Sequence, residues 1–96
     1  MQQAHGIVMK SVDNVCTVVG TVDAATPVQF ELAGQNGTVT VTEPISFGHK
    51  FALRTIKKGE PVVKYGEVIG LATKDIEPGQ HVHVHNLESC RGRGDK

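Results

Sequence analysis

The feature that most limits what this chain can become is a bend written into it twice. Ile56-Lys57-Lys58-Gly59-Glu60-Pro61-Val62 returns twenty residues later as Ile76-Glu77-Pro78-Gly79-Gln80-His81-Val82, and both read I-x-x-G-x-x-V. A weaker third copy, Val22-Asp23-Ala24-Ala25-Thr26-Pro27-Val28, keeps the Pro and Val of the first but has Ala25 in place of Gly. The physical sense is a turn: an apolar residue enters, Gly supplies a positive φ, and Val begins the next strand. Two good copies and one degraded one are too few for a stacked solenoid, so the repeat predicts a compact, pseudo-symmetric β domain.

Composition agrees with a mainly β chain. Fourteen Val, eight Thr and five Ile stand against four Leu and six Ala, and branching at Cβ favours pleated strands. Eleven Gly and four Pro cut the chain into short apolar runs with no ten-residue stretch of helical period. Strands are predicted at about Asn14 to Val19, Gly37 to Thr42, His49 to Ile56, Pro61 to Lys64, Val68 to Ala72 and His81 to His85, with Gly34 to Gly37 as a turn between two of them. Ninety-six residues make one domain, residues 1–96, with 87–96 expected as a flexible polar tail. Three Phe, one Tyr and no Trp leave a thin aliphatic core and no room for a large private substrate cavity.

Charge excludes several functions. Ten Lys plus Arg balance ten Asp plus Glu, so no net field draws in nucleic acid or an anionic membrane. No run approaches the roughly 20 apolar residues of a membrane span, and MQQAHGIVMK lacks the order of a secretory signal, so a cytoplasmic protein is expected. Cys16 and Cys90 have no CxxC spacing and read as two reduced thiols. Phosphate-loop, dinucleotide, serine-hydrolase and H-E-x-x-H motifs are all missing.

Four segments carry side chains capable of chemistry. His81-Val82-His83-Val84-His85 alternates strictly, which in a strand sends His81, His83 and His85 to one face and the two valines to the core. Imidazoles two apart on a strand lie roughly 6.5 to 7 Å apart at Cβ, near enough to converge on one metal ion, although a polar sheet edge accounts for the same pattern. Asn86 either hydrogen-bonds a substrate hydroxyl or ends the strand in a side-chain turn. Gly48-His49-Lys50 places an imidazole suited to general acid–base work beside an ammonium suited to a carboxylate, or else is a bend with two exposed polar residues. Lys64 and Tyr65 sit where a strand ends in a tight turn; the phenol is either a proton donor beside a lysine or an amphipathic ring at the core's rim. Arg91 and Arg93, in RGRGD, either order over an anion or belong to a disordered tail.

Taken in order, GHKFAL (Gly48 to Leu53), the I-x-x-G-E-P-V-V-K-Y-G-E-V-I-G run (Ile56 to Gly70), the second bend at Ile76 to Gly79 and HVHVHN (His81 to Asn86) resemble the small SAF-type domain of the altronate and galactarate dehydratase family. Asp13-Asn14-Val15 resembles that family's opening DNV. The resemblance implies a β-clip fold of short bent strands and a larger catalytic portion, here expected as a separate subunit. It also implies a divalent metal, iron or manganese, and β-elimination of water from a sugar acid or hydroxy acid. On that footing His49, Lys50, Lys64 and Tyr65 are expected to be catalytic, Asn86, Arg91 and Arg93 to bind substrate or partner, and His81, His83 and His85 to bind metal. A homo-oligomer is compatible with the same resemblance. The small subunit of sulfolactate sulfo-lyase, which eliminates sulfite, is a relative of the same type. A non-catalytic SAF-type binding module, as in pilus and flagellar chaperones or antifreeze-like domains, is the reading from another class.

Overall fold

The computed structural model describes residues 4–32 and 34–89. Among them are nine strands and no helix: β1 (Ala4–Ile7), β2 (Val15–Val18), β3 (Pro27–Leu32), β4 (Gln35–Thr40), β5 (Lys50–Ala52), β6 (Pro61–Lys64), β7 (Glu67–Ala72), β8 (His81–Val82) and β9 (Leu87–Ser89). Six of them form one sheet in the order β4-β3-β1-β2-β5-β8, and β6-β7-β9 form a second. All pairings are antiparallel except β1 with β3.

The repeated bend organises this topology, and it occurs four times. Val22, Ile45, Ile56 and Ile76 each enter a turn whose positive-φ residue is Ala25 (66°), Gly48 (84°), Gly59 (90°) or Gly79 (88°). Each of those residues donates its backbone N–H to a strand carbonyl, respectively Val41, Val18, Ala72 and Ala52. Each of these strand residues then donates its own N–H to the carbonyl of the residue after the turn. Three residues beyond the positive φ, Val28, Phe51, Val62 and Val82 are completely buried. The entering residues pair off, Val22 with Ile45 and Ile56 with Ile76, by reciprocal backbone hydrogen bonds of 2.7–2.8 Å. The sequence reading misses the copy at Ile45-Ser46-Phe47-Gly48 because Phe51 replaces Val at its last position. In the copy without Gly, Ala25 adopts the left-handed conformation all the same.

Two apolar cores follow from the pairing of the bends. One gathers Val8, Cys16, Val18, Val22, Val28, Val41, Ile45 and Phe51, and the other Val15, Ala52, Ile56, Val62, Ala72, Ile76 and Val82. The β2–β5 pair divides them. Alternation sends Cys16, Val18 and Phe51 to the first core and Val15 and Ala52 to the second, so this pair is covered on both faces. Burying a side chain the size of Phe51 stabilises the fold by about 1.5–3 kcal/mol.

Several strand limits differ from the sequence expectation. β5 stops at Ala52, although Leu53 still donates its N–H to the Asn14 carbonyl and the Arg54 guanidinium reaches the Asp13 carbonyl at 2.7 Å, contacts that follow the β2–β5 register past the strand. GQNG is not one turn: Leu32 pairs with Gln35, Gly34 has the positive φ ahead of β4, and Gly37 stands in β4 against the Phe30 ring, where a Cβ would collide. Residues 87–89, expected in the tail, form β9 on the edge of β7. β1 and β3 have no counterpart among the strands expected from sequence. Gly6 leaves the former without a clear alternation, and its missing Cβ makes room for the Cys16 sulfur. The run His81 to His85 is a strand only as far as Val82, and Val84, expected in the core, is 80% exposed.

Candidate functional site

The exits of two bends meet at one place. His49 follows Gly48 directly and His81 lies two residues beyond Gly79. β5 and β8 then pair so that Lys50 faces Val82 and Phe51 faces His81, a local two-fold relation between equivalent positions of the two bends. His49 Nδ1 and His81 Nε2 come to 2.9 Å, one ring donating to the other. The His83 ring stacks on His49 with centroids 4.4 Å apart and an interplanar angle of 18°, and lies 5.4 Å from His81. One ring nitrogen from each of His49, His81 and His83 falls within 4.8 Å of the others. His85 touches the group differently, tilted 38° to His81 at 5.3 Å, and it is exposed.

His83 reaches this position because the strand ends. Asn86, only 5% exposed, accepts the His83 N–H at Oδ1 (2.9 Å) and donates from Nδ2 to the His81 carbonyl (2.8 Å). Its own N–H bonds the His83 carbonyl at 3.0 Å, and its carbonyl accepts from Thr73. Both ends of the amide are therefore spent on the backbone of the imidazole segment. Asn86 thus makes the contacts of the turn-forming alternative, with the side chain reaching backwards along the chain. Glu43 braces the same segment from the first half, accepting the His81 N–H at Oε2 (3.0 Å).

Electrostatics favour the neutral form at His81 and His83. Burial pushes the His81 imidazole below its ordinary range, His49, His85 and His83 add to the effect, and Glu43 opposes it. His83 is lowered by burial first, then by His49, Lys50 and His85. Neutral imidazoles retain a free lone pair, the form that binds a metal or accepts a proton. Three such donors suit a first-row divalent ion rather than Mg²⁺ or Ca²⁺, which prefer oxygen.

Lys50 is half-buried, and its register with Thr17 and Val82 puts it on the second-core face of the sheet, opposite His81. Burial lowers its pKa, and so does the Lys64 ammonium. On the same face the hydroxyl of Thr17 is buried without a hydrogen-bond partner. An ammonium held next to another ammonium and an unsatisfied hydroxyl is a place where an anion is favoured.

Of the remaining expected residues, Lys64 lies over the Tyr65 ring, Nζ 5.0 Å from its centroid. Tyr65, at φ 54°, forms the tip of the β6–β7 hairpin with Gly66 and is 39% exposed. The tip is bound by Asp13, which accepts the Gly66 N–H. Arg91 and Arg93 lie outside the described residues. Sequence reasoning missed Asp13 and Glu43. Asp13 is fully buried, accepting Gly66 N–H at Oδ1 (2.7 Å) and the Met9 and Lys10 N–H groups at Oδ2. Burial raises its pKa, but the donated hydrogen bonds from Gly66, Lys10, Met9 and Tyr65 outweigh this and hold it below the ordinary carboxylate value. Its sequence signal is its place at the head of the D-N-V triplet ahead of β2.

Comparison with known proteins finds dehydratase and sulfo-lyase relatives. Residues 4–90 match the altronate/galactarate dehydratase SAF domain. Altronate dehydratase of Escherichia coli is 42% identical over 83 residues, covering 86% of this chain but 16% of that enzyme. Altronate dehydratase of Bacillus subtilis is 46% identical over 52 residues, 54% of this chain and 10% of the enzyme. The (2R)-sulfolactate sulfo-lyase subunit alpha of Paracoccus pantotrophus is 45% identical over 53 residues, 55% of this chain and 79% of that subunit. The chain thus spans about a sixth or less of the dehydratases it matches. No helix among the described residues is long and apolar enough to cross a membrane.

Proposed function

The chain belongs to the altronate/galactarate dehydratase SAF domain family, and from that premise we propose that it is the small component of a hydro-lyase whose catalytic bulk lies in a larger polypeptide. The reaction is β-elimination from a sugar acid. The proton next to the carboxylate is abstracted, the β-hydroxyl leaves as water, and the resulting enol ketonises to a 2-keto-3-deoxy acid. The observation that carries the reading is the gathering of three imidazoles at the β5–β8 pair, where residues of both halves converge.

In this reading the chain closes over the partner's active centre. Lys50 pairs with the substrate carboxylate, which relieves its unfavourable position next to Lys64. His49, His81 and His83 would hold a divalent ion, which would supply charge stabilisation for the developing enediolate. Arg91 and Arg93 contribute cationic groups for docking on the partner.

The Paracoccus relative favours one second reading, loss of sulfite from sulfolactate, because there a separate subunit of similar size aligns over most of its length. Tagged chain recovered from its own cells, with the bound partner identified by native mass spectrometry, distinguishes the two. We expect a complex that forms 2-keto acid from an aldonic or aldaric acid without sulfite release. Sulfite release assigns the second reading, and a chain that recovers no partner and supports no turnover is a binding module. Within an active complex, Lys50→Met should lower kcat/KM about 100-fold, roughly 2.7 kcal/mol of transition-state stabilisation, with little change in melting temperature.

A further inference from the structure

We propose that His49, His81 and His83 form a three-nitrogen metal site in this chain by itself, with His85 outside it and Asn86 as the residue that positions it. The alternation of the last histidines points to His81, His83 and His85 as one ligand face. The fold instead ends β8 at Val82 and brings in His49 from a bend more than thirty residues earlier.

The geometry supports the exchange. Metal–nitrogen bonds of ~2.0–2.1 Å set ligand nitrogens about 3.3 Å apart in a tetrahedral site. His49 Nδ1 and His81 Nε2, at 2.9 Å, are already at that spacing. The third nitrogen lies within 4.8 Å and closes by rotation of the partly exposed His83 ring. The three ligands have three different supports. Gly48 turns the chain so that His49 leaves the bend towards β8, Glu43 holds the His81 backbone, and Asn86 ties His83 to His81 through both ends of its amide. Groups that orient ligands in this way commonly matter 10- to 100-fold in affinity. With three protein ligands the remaining coordination positions stay open to substrate, water or a partner's side chain. The ion is a first-row divalent metal of the kind imidazole prefers, such as Fe²⁺, Co²⁺ or Zn²⁺. This site does not depend on the elimination reading, since failure of any complex to turn over leaves it standing.

Co²⁺ titration of the whole isolated chain tests it, followed by visible absorption and by calorimetry, with circular dichroism to verify the fold of each variant. One Co²⁺ per chain is expected. His49→Ala, His81→Ala and His83→Ala should each weaken binding about 100-fold, whereas His85→Ala should change it less than threefold. Asn86→Ala should cost 10- to 100-fold. Asn86→Asp, which keeps the acceptor for His83 but loses the donor to His81, should recover part of that loss. Should His49→Ala disturb the fold, His49→Gln gives the same comparison. Wild-type affinity in a folded His49 variant, loss in His85→Ala as large as in His83→Ala, or no Co²⁺ bound by the wild-type chain near millimolar concentration each overturns the assignment.

Discussion

The four bends share one backbone and divide into two kinds according to the residue two places after the positive φ. After Ala25 and Gly59 that residue is Pro, and the strands that begin there, β3 and β6, run into hairpins with β4 and β7. After Gly48 and Gly79 the corresponding residues are Lys50 and His81, and the strands that begin there, β5 and β8, pair with each other. Proline fixes φ and suits the first residue of a strand, but it removes a donor. In the second kind the donor is used, since His81 N–H bonds Glu43. Chemistry therefore collects where two bends of the second kind meet, and the hairpins carry none of the imidazole cluster. One turn serves as scaffold or as site according to whether its exit strand faces a hairpin or its own counterpart.

Substitutions at the turn residues separate the cost of the conformation from the cost of the neighbourhood. Gly79→Ala should be the most damaging, because a Cβ there meets the Thr40 carbonyl in addition to the strain of φ 88°. A loss of about 3 kcal/mol or more in urea unfolding is expected. Gly59→Ala, with open space at its Cβ, isolates the conformational cost at about 1–2 kcal/mol. Equal losses at the two positions would mean that the neighbourhood of Gly79 yields easily.

The two hairpins differ as well, because among the described residues only β6–β7 has its tip bound by a buried carboxylate, that of Asp13. Asp13→Asn replaces one acceptor oxygen by a donor facing N–H groups and should cost about 3 kcal/mol at neutral pH. The pH dependence has a definite sign. The folded-state pKa lies below the ordinary 3.8, so the unfolded chain binds the proton more readily. The contribution of Asp13 is thus present above about pH 4 and lost as pH falls through the folded-state pKa. Acid unfolding of the wild-type and Asp13→Asn chains should converge in that range. A constant gap between the two curves down to pH 2 would contradict the assignment.

Ala25→Gly carries the smallest effect and the opposite sign. It relieves a non-glycine residue at φ 66° and should stabilise the protein by about 0.5–1 kcal/mol, after the greater freedom of Gly in the unfolded chain is deducted. A loss of stability would show that Ala25 contributes packing that the two-kinds comparison leaves out.

Much of this molecule is legible in its sequence. The bend and its glycine, the β-branched composition and the SAF resemblance together point to a small, pseudo-symmetric β domain, and β2, β4, β6 and β7 lie close to their predicted spans. Strand ends decided by side chains beyond them are not legible. β8 ends because Asn86 turns back on it. Histidines and a lysine at GHK and HVHVHN mark the chemistry, but not which of them meet.

The part that the sequence determined by itself is local: where the chain bends, which residues resist a helix, and which side chains hold a lone pair or a charge. Those properties depend on a residue and its immediate neighbours. Only the tertiary structure decided that His49 joins His81 and His83, that Val84 lies in solvent, and that Asn86 supports the site from within. Each of these rests on the pairing of two bends some thirty residues apart, and no period or propensity encodes which bends will pair.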